Sequence, residues 1–218
     1  MSNNTPVLEP MTKNMPSIAL FISGRGSNME AILQQVLSGI LSNCCRVALV
    51  FSNKPDAGGL AIAQGLGFPT ACVPSKGKKR EAFDAEICAL LEPYRIDYIV
   101  LAGYDRLISP VLIDRYDKRI INIHPADTRL FQGLGAYKWA FEQQLESTYI
   151  TIHYVDAGMD TGSIIAQQKV DLRGATSLQE VEKRGLAMEH VFYSQTLRAV
   201  FSAVSFNSAT PPLLQSDG

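Results

Sequence analysis

Residues Ser17 to Glu30 read SIALFISGRGSNME, and the fold is decided there. SIALFIS is apolar almost without a break, as a strand covered on both faces would be. Gly24 and Gly26 then permit a tight turn. Ser27 and Glu30 fit an S-x-x-E capping box, opening a helix expected over about Met29–Leu37. A strand that feeds a helix through so short a turn is the first half of a parallel βαβ unit. The turn can also carry chemistry. Free backbone N–H groups at a helix start, with the positive end of the helix dipole, suit an anion. It is not a dinucleotide fingerprint, because G-x-G-x-x-G needs a glycine where Met29 stands, and no Walker pattern occurs. A tight turn with no ligand is the other reading of this stretch taken alone.

The alternation continues outward. RVALVFS (46–52), TACVP (70–74), DYIVLAG (97–103) and RIINIH (119–124) read as strands. Helical patterns lie between them at about Leu60–Gly65, Lys79–Leu91 and Pro110–Tyr116. Further on, TYITIHYVD (148–156) and SIIAQQKVDL (163–172) flank the turn-prone AGMDTG, as an antiparallel pair would. Thr176-Ser-Leu-Gln179 resembles a second capping box, before a long helix from about Ser177 to Val204. The expected fold class is α/β: a mostly parallel sheet with helices on both faces and an antiparallel C-terminal extension. One domain is expected over 16–205, between loose tails at 1–15 and 206–218.

Composition narrows the function. With 218 residues, 46% of them hydrophobic and 19% charged, the chain has the make-up of a globular protein with a sizeable core. A net charge of −1 argues against a broad nucleic-acid surface, though not against a small phosphate pocket. Cysteines at 44, 45, 72 and 88 form no C-x-x-C pair, and they suit neither a disulfide framework nor a zinc knuckle. They read as small buried hydrophobes in a reducing compartment. The N-terminal MSNNTPVLEPMTKNMP has no apolar signal-peptide core, and no run approaches the roughly 18 apolar residues of a membrane span. A cytoplasmic enzyme or binding protein is expected.

Three further stretches carry candidate chemistry. In RIINIHPAD (119–127), Asn122 and His124 share one strand face, and Pro125 puts the histidine at the strand's end. Open α/β sheets place their ligands at that end. In LAGYDRLISP (101–110), Gly103 lets backbone approach closely, and Leu107 and Ile108 can line an apolar slot. Arg106 reads equally as a solvated loop charge. In HYVDAGMDTGSII (153–165), Asp160 lies between Gly158 and Gly162, after a strand whose His153 shares a face with Thr151 and Val155. A carboxylate brought beside His124 would stabilise the imidazolium and raise its pKa. An Asn, a His and an Asp at one point can donate to an oxyanion and manage protons, as acyl transfer requires. No Ser or Cys sits at a nucleophile elbow, and the histidines at 124, 153 and 190 lack metal-ligand spacing.

In order, SGRGSN, FSNKPDAGGLAIA, LAGYDRLISP, NIHP and HYVDAGMDTGSII closely resemble the folate-dependent glycinamide ribonucleotide formyltransferases of purine synthesis. The resemblance runs from about Ser17 to Phe201. It implies a Rossmann-like formyltransferase fold, with N10-formyltetrahydrofolate as co-substrate and no metal. It implies a small-molecule acceptor, the amine of glycinamide ribonucleotide. Asn122, His124 and Asp160 match the family's catalytic trio. Gly26, Ser27 and Asn28 match its substrate-phosphate loop, and Glu189 matches a helical residue that contacts the acceptor. Arg80 matches the arginine associated with the folate's acidic tail. Arg106, Leu107 and Ile108, with Asn122 and the loop from Asp156 to Asp160, match the folate pocket. The implied mechanism has His124, as imidazolium, and Asn122 holding the oxyanion while Asp160 keeps His124 charged.

The chain also departs from that pattern. After NIHP the family usually continues Ser-Leu-Leu-Pro and a Lys-Tyr-Pro-Gly-like turn, whereas here Ala126-Asp127-Thr128-Arg129 leads to Leu130-Phe131-Gln132-Gly133 and on to Tyr137. Asp127 and Arg129 can pair across that turn. Asp105 replaces a methionine common before the arginine of the folate loop. A formyltransferase acting on a different amine would keep the same trio. A formyltetrahydrofolate hydrolase is expected to carry an extra N-terminal regulatory domain, for which the 16 residues before the first strand leave no room.

Overall fold

Every residue of the first strand, β1 (Ser17–Ile22), is buried, and the alternation of its side chains shows why. Ile18, Leu20 and Ile22 enter one hydrophobic core, while Ala19 and Phe21 enter the other. The computed structural model describes residues 15–207, with side chains to 203, so the expected tails fall almost wholly outside the described residues. The remaining strands are β2 (Arg46–Ser52), β3 (Thr70–Cys72), β4 (Tyr98–Leu101), β5 (Ile120–His124), β6 (Ser147–Tyr154) and β7 (Ile164–Asp171). They form one seven-stranded sheet in the order β3-β2-β1-β4-β5-β6-β7. Pairings among β1 to β5 are parallel, and β6 and β7 add antiparallel strands at one edge.

The helices are α1 (Ser27–Ser38), α2 (Gly58–Gly65), α3 (Arg80–Leu91), α4 (Pro110–Arg115), α5 (Ala136–Glu142) and α6 (Leu178–Asn207). Met29, Ile32 and Leu33 of α1 pack on one face with Leu197 and Phe201 of α6. Phe83, Ile87 and Leu91 of α3 pack on the other with Leu112 of α4. Tyr193 of α6 is fully buried, and its hydroxyl lies 3.0 Å from the carbonyl oxygens of both Leu101 and Ile121. That contact ties α6 to β4 and β5.

β2 and β4 lie on opposite sides of β1, so the strand order reverses there. In open α/β sheets such a switch point leaves a crevice beyond the carboxyl ends of the strands. The loops after β1, β4 and β5 all emerge at that end.

Beyond shifts of about two residues at other element ends, α2 among them, four departures from expectation stand out. α1 begins two residues early, because Gly26 rather than Ser27 is its boundary. Gly26 adopts a left-handed φ of 76°, and the Glu30 N–H donates to its carbonyl at 2.8 Å. Ser27 makes no capping bond, so the expected capping box does not form. Before α6 the cap is Ser177, one residue past Thr176; its hydroxyl accepts the Glu180 N–H at 3.2 Å. The short helix α5 and a 3₁₀ turn at Glu92–Tyr94 had no clear sequence signal.

Candidate active site

The loop after β1 is built by close backbone approach. A Cβ on Gly59, in the first turn of α2, would sit 2.5 Å from Ile22 Cδ1 and 3.1 Å from the Arg25 carbonyl oxygen. The Gly59 N–H donates to the Gly24 carbonyl at 3.1 Å. Gly59 thus holds the Gly24–Gly26 turn in place. Beyond that turn the buried Asn28 donates through Nδ2 to Glu189 Oε2. Its Oδ1 has no partner among the described residues.

At the end of β5 the three candidate catalytic residues meet. His124 Nδ1 lies 3.3 Å from Asp160 Oδ2. Asn122 Nδ2 donates to Asp160 Oδ1 at 3.3 Å. Asp160 is held at a left-handed φ of 53°, and its Oδ2 also accepts the Gly133 N–H at 2.9 Å. His124 Nε2 lies 3.0 Å from the Phe131 carbonyl oxygen, and the Phe131 ring stacks nearly parallel to the imidazole.

His153 joins this group, a role the sequence reading did not give it. Across the β5–β6 pair it lies opposite Asn122. Its Nε2 is 3.2 Å from Asn122 Nδ2 and 3.5 Å from Asp160 Oδ1. Alternation along β6 put His153 on a definite face, but only the pairing register could reveal its partner.

Both nitrogens of His124 face acceptors, an arrangement that the imidazolium satisfies best. Burial opposes it and is the larger effect, so the His124 pKa lies below the ordinary histidine value despite Asp160 and Phe131. The expected rise is therefore reversed. Burial acts upward on Asp160, but the His153 ring, the Gly133 N–H and the two histidine charges outweigh it and hold the carboxyl below its ordinary range. Two histidines, the Asn122 amide and a backbone donor thus share one carboxylate.

The loop after β4 carries the candidate folate residues. Arg106 is no free loop charge: its guanidinium lies 4.6 Å from the Phe83 ring centre and donates to the Lys78 carbonyl at 2.9 Å. Asp105 pairs with Lys54 and accepts from Asn53 Nδ2 at 3.2 Å. It thereby joins the loops after β2 and β4. Asp156 folds its own loop, accepting the Gly158 N–H at 3.0 Å and the Thr161 hydroxyl at 2.6 Å. Arg80 stands apart. It opens α3, is half-exposed beside Glu81, and does not border the cleft.

The altered segment after His124 folds on itself. Arg129 forks onto Asp127 through Nε at 2.9 Å and Nη2 at 2.6 Å, and these bonds hold the Asp127 carboxyl down to about 2. Further on, Tyr137 donates its hydroxyl to Glu189 Oε1. The expected pair across the turn is present.

The loops after β1, β4 and β5, with the Asp160 turn, line one cleft of about 550 Å³, within the usual range for a small-molecule site. Gly26, Ser27, Asn28 and Glu189 border it, as do Arg106, Leu107 and Ile108 and the trio Asn122, His124 and Asp160. Among the described residues no helix is long and apolar enough to cross a membrane, and no group of three or more His, Cys, Asp or Glu could hold a metal ion.

The comparisons agree with this geometry. The family model "Formyl transferase" matches residues 16–197. Phosphoribosylglycinamide formyltransferase of Bacillus subtilis is 36% identical over 185 residues, covering 84% of this chain and 94% of that one. The Chironomus tentans trifunctional purine biosynthetic protein adenosine-3 is 31% identical, and the match spans 14% of its length. The crystal structure of phosphoribosylglycinamide formyltransferase from Bacillus halodurans superposes with a TM-score of 0.81 at 39% identity, covering 86% of this chain and 96% of that one. The fold is therefore the Rossmann-like formyltransferase fold, and the chain belongs to the phosphoribosylglycinamide formyltransferase family of formyl transferases.

Proposed function

We propose that the cleft transfers a formyl group from N10-formyltetrahydrofolate to the primary amine of glycinamide ribonucleotide, a step of de novo purine biosynthesis. The observation that carries this reading is the meeting of Asn122, His124 and Asp160 in the same cleft as the Gly26–Asn28 loop. The amine nitrogen attacks the formyl carbon, a C–N bond forms, and the carbonyl oxygen becomes an oxyanion. On collapse the bond from that carbon to N10 breaks; the amine loses a proton and N10 gains one.

In the free chain the Phe131 carbonyl occupies His124 Nε2. It stands in for the formyl oxygen, which in this reading takes its place. An oxygen gaining negative charge is a stronger acceptor than a neutral amide. The growing charge also favours the imidazolium and so offsets the burial that lowers the pKa of the free ring. Asn122 is the second donor, through the amide now shared between Asp160 and His153. Asp160, ionised beside His124 Nδ1, keeps the ring charged, and it takes up the amine's proton through water and passes that proton on to N10. Preorganised donors of this kind are each worth about 10²–10³ in rate.

The acceptor's phosphate lies on the backbone N–H groups of Gly26, Ser27 and Asn28, and Glu189 holds the other end. The folate lies against Arg106, Leu107, Ile108 and the 156–160 loop, with its acidic tail toward Arg80. Four free cysteines suit a reducing compartment, and we place the reaction in the cytoplasm. The test is formyl transfer to glycinamide ribonucleotide beside its dephosphorylated nucleoside and other phosphorylated amines. Efficient transfer to the ribonucleotide, with a loss of at least about 10²-fold for the nucleoside, is expected from stranded phosphate donors. A strong preference for another amine, or indifference to the phosphate, overturns the acceptor.

A further inference from the structure

Glu189 is a carboxylate in an unfavourable place. It is 5% exposed yet borders the cleft, and burial raises its pKa above the ordinary carboxylate value. Two donors hold it: Asn28 Nδ2 on Oε2 and the Tyr137 hydroxyl on Oε1. A carboxylate offers about four lone-pair sites, so two protein donors fix its plane and leave capacity for a ligand. Asn28 comes from the loop already read as the phosphate site. Tyr137 comes from α5, the helix that follows the altered segment, and does not itself border the cleft. It can influence a ligand only through Glu189.

Gly185 shows that this tyrosine is accommodated by design. It lies one turn before Glu189 on α6, where glycine is a poor helix former. A Cβ there would sit 2.2 Å from Cε1, Cζ and the hydroxyl oxygen of Tyr137. The three atoms nearest to that Cβ all belong to Tyr137, so the missing side chain makes room for the phenol. Burial, with Glu189 beside it, raises the Tyr137 pKa, so the phenol keeps the proton it donates.

We infer that Tyr137 is a positioning residue that fixes the Glu189 carboxylate at the acceptor end of the cleft, and that position 185 is glycine in order to admit it. This rests on the acceptor reading above, and it gives the unusual segment through Tyr137 a role in acceptor recognition. The phenol serves the acceptor by holding a ligand-facing carboxylate.

The test compares wild type, Tyr137→Phe and Gly185→Ala. Losing a hydrogen bond to a charged group raises the acceptor KM by about tenfold or more in Tyr137→Phe, while the donor KM stays within about twofold. Gly185→Ala, ordinarily a favourable change in a helix, gives the same acceptor-specific rise because its Cβ displaces the phenol. An unchanged acceptor KM in Tyr137→Phe, or equal rises for donor and acceptor, overturns the inference. A second readout does not depend on which amine is accepted. In the ligand-free protein, the Glu189 carboxyl titration followed by ¹³C NMR should move upward in Tyr137→Phe, because the phenol favours the ionised form. His190 and Tyr193, the other titratable neighbours of Glu189, are untouched by the substitution. An unmoved titration overturns the inference even where glycinamide ribonucleotide is a good substrate. If wild type does not formylate glycinamide ribonucleotide, the acceptor reading fails, and the titration alone decides whether Tyr137 holds Glu189.

Discussion

Asn122 on β5 lies directly opposite His153 on β6, with 3.2 Å between Asn122 Nδ2 and His153 Nε2. The other ring nitrogen, Nδ1, donates to the Tyr154 carbonyl at 2.8 Å, which fixes the ring and leaves Nε2 facing Asn122 and Asp160. His153 is 2% exposed and does not border the cleft, so it acts through those two side chains. His153→Ala is expected to lower kcat by about tenfold or more, with donor and acceptor KM nearly unchanged. Steady-state kinetics at saturating donor measures this. A variant with normal turnover would mean that Asn122 and Asp160 hold their positions unaided.

His124→Ala and Asp160→Asn should each cost more, at least about 10² in kcat with modest KM changes, because their proposed roles arise only as charge develops. Single-turnover measurements separate the chemical step from product release. Near-wild-type single-turnover rates in either variant would remove the mechanism.

The direction of the His124 shift is itself testable. Burial favours the neutral ring, so NMR titration of the ring should give a pKa below the ordinary value of about 6.5. Asp160 acts in the other direction, and Asp160→Asn should therefore lower the pKa further. The sign for stability follows. A depressed folded-state pKa contributes stability that is present above the ordinary value and lost as pH falls through the folded value. A titration at or above the ordinary value, or one that rises in Asp160→Asn, contradicts the balance of burial over charge.

Arg80 is the least supported member of the proposed folate site, since it is half-exposed, lies 3.5 Å from Glu81 and does not border the cleft. A folate's acidic tail extends away from its pterin, so a contact outside the cleft is consistent with the proposal. Arg80→Ala should raise the donor KM and leave the acceptor KM nearly unchanged, because a guanidinium pairs with carboxylate in a planar fork. A rise in acceptor KM alone would show that α3 serves the wrong substrate in this reading.

How far the sequence could be read depended on whether the signal was local. NIHP announced its own geometry, because strand alternation and Pro125 suffice to put Asn122 and His124 on one face at a strand end. His153 was on a legible face, but its pairing with Asn122 depends on a register set by the whole edge of the sheet. Ser27 carried the composition of a cap and did not become one, since the left-handed Gly26 already begins the helix. α5 was hidden by the glycines before it and by its length of seven residues. Glu189 was picked out by the family resemblance alone, since a glutamate on a helix is ordinarily on a solvated face. Its burial comes from the packing of α6 on the sheet, one turn from Tyr193, which no local pattern reports.

The turn that delivers Asp160 offers the sharpest steric test. Gly162 follows Asp160 by two residues, and a Cβ there would sit 1.7 Å from the Tyr154 carbonyl oxygen and 2.8 Å from its carbon. These are backbone atoms, and the Tyr154 N–H is bonded to the Ser163 carbonyl at 3.0 Å, so neither strand end can yield without opening the start of the β6–β7 pair. The constraint is one of space, since Gly162 does not adopt a left-handed φ. Gly158 is the natural comparison, because a Cβ there meets the Thr161 side chain first, 2.0 Å from its hydroxyl oxygen, rather than backbone, and that hydroxyl can turn away at the cost of its bond to Asp156. Overpacking typically costs about 1–3 kcal/mol, and a backbone clash this close belongs at the upper end. For a chain of this size that corresponds to a fall in Tm of roughly 5–10 °C in Gly162→Ala. Gly158→Ala should fall by less. Because the clash lies within the Asp160 turn, Gly162→Ala should also lose at least about tenfold in kcat at a temperature where it remains folded, since a misplaced group of about 1 Å costs heavily in rate. Thermal melts and turnover measured together decide the matter: a Gly162→Ala protein that melts and turns over like Gly158→Ala would show that the β6–β7 turn can shift without moving the carboxylate.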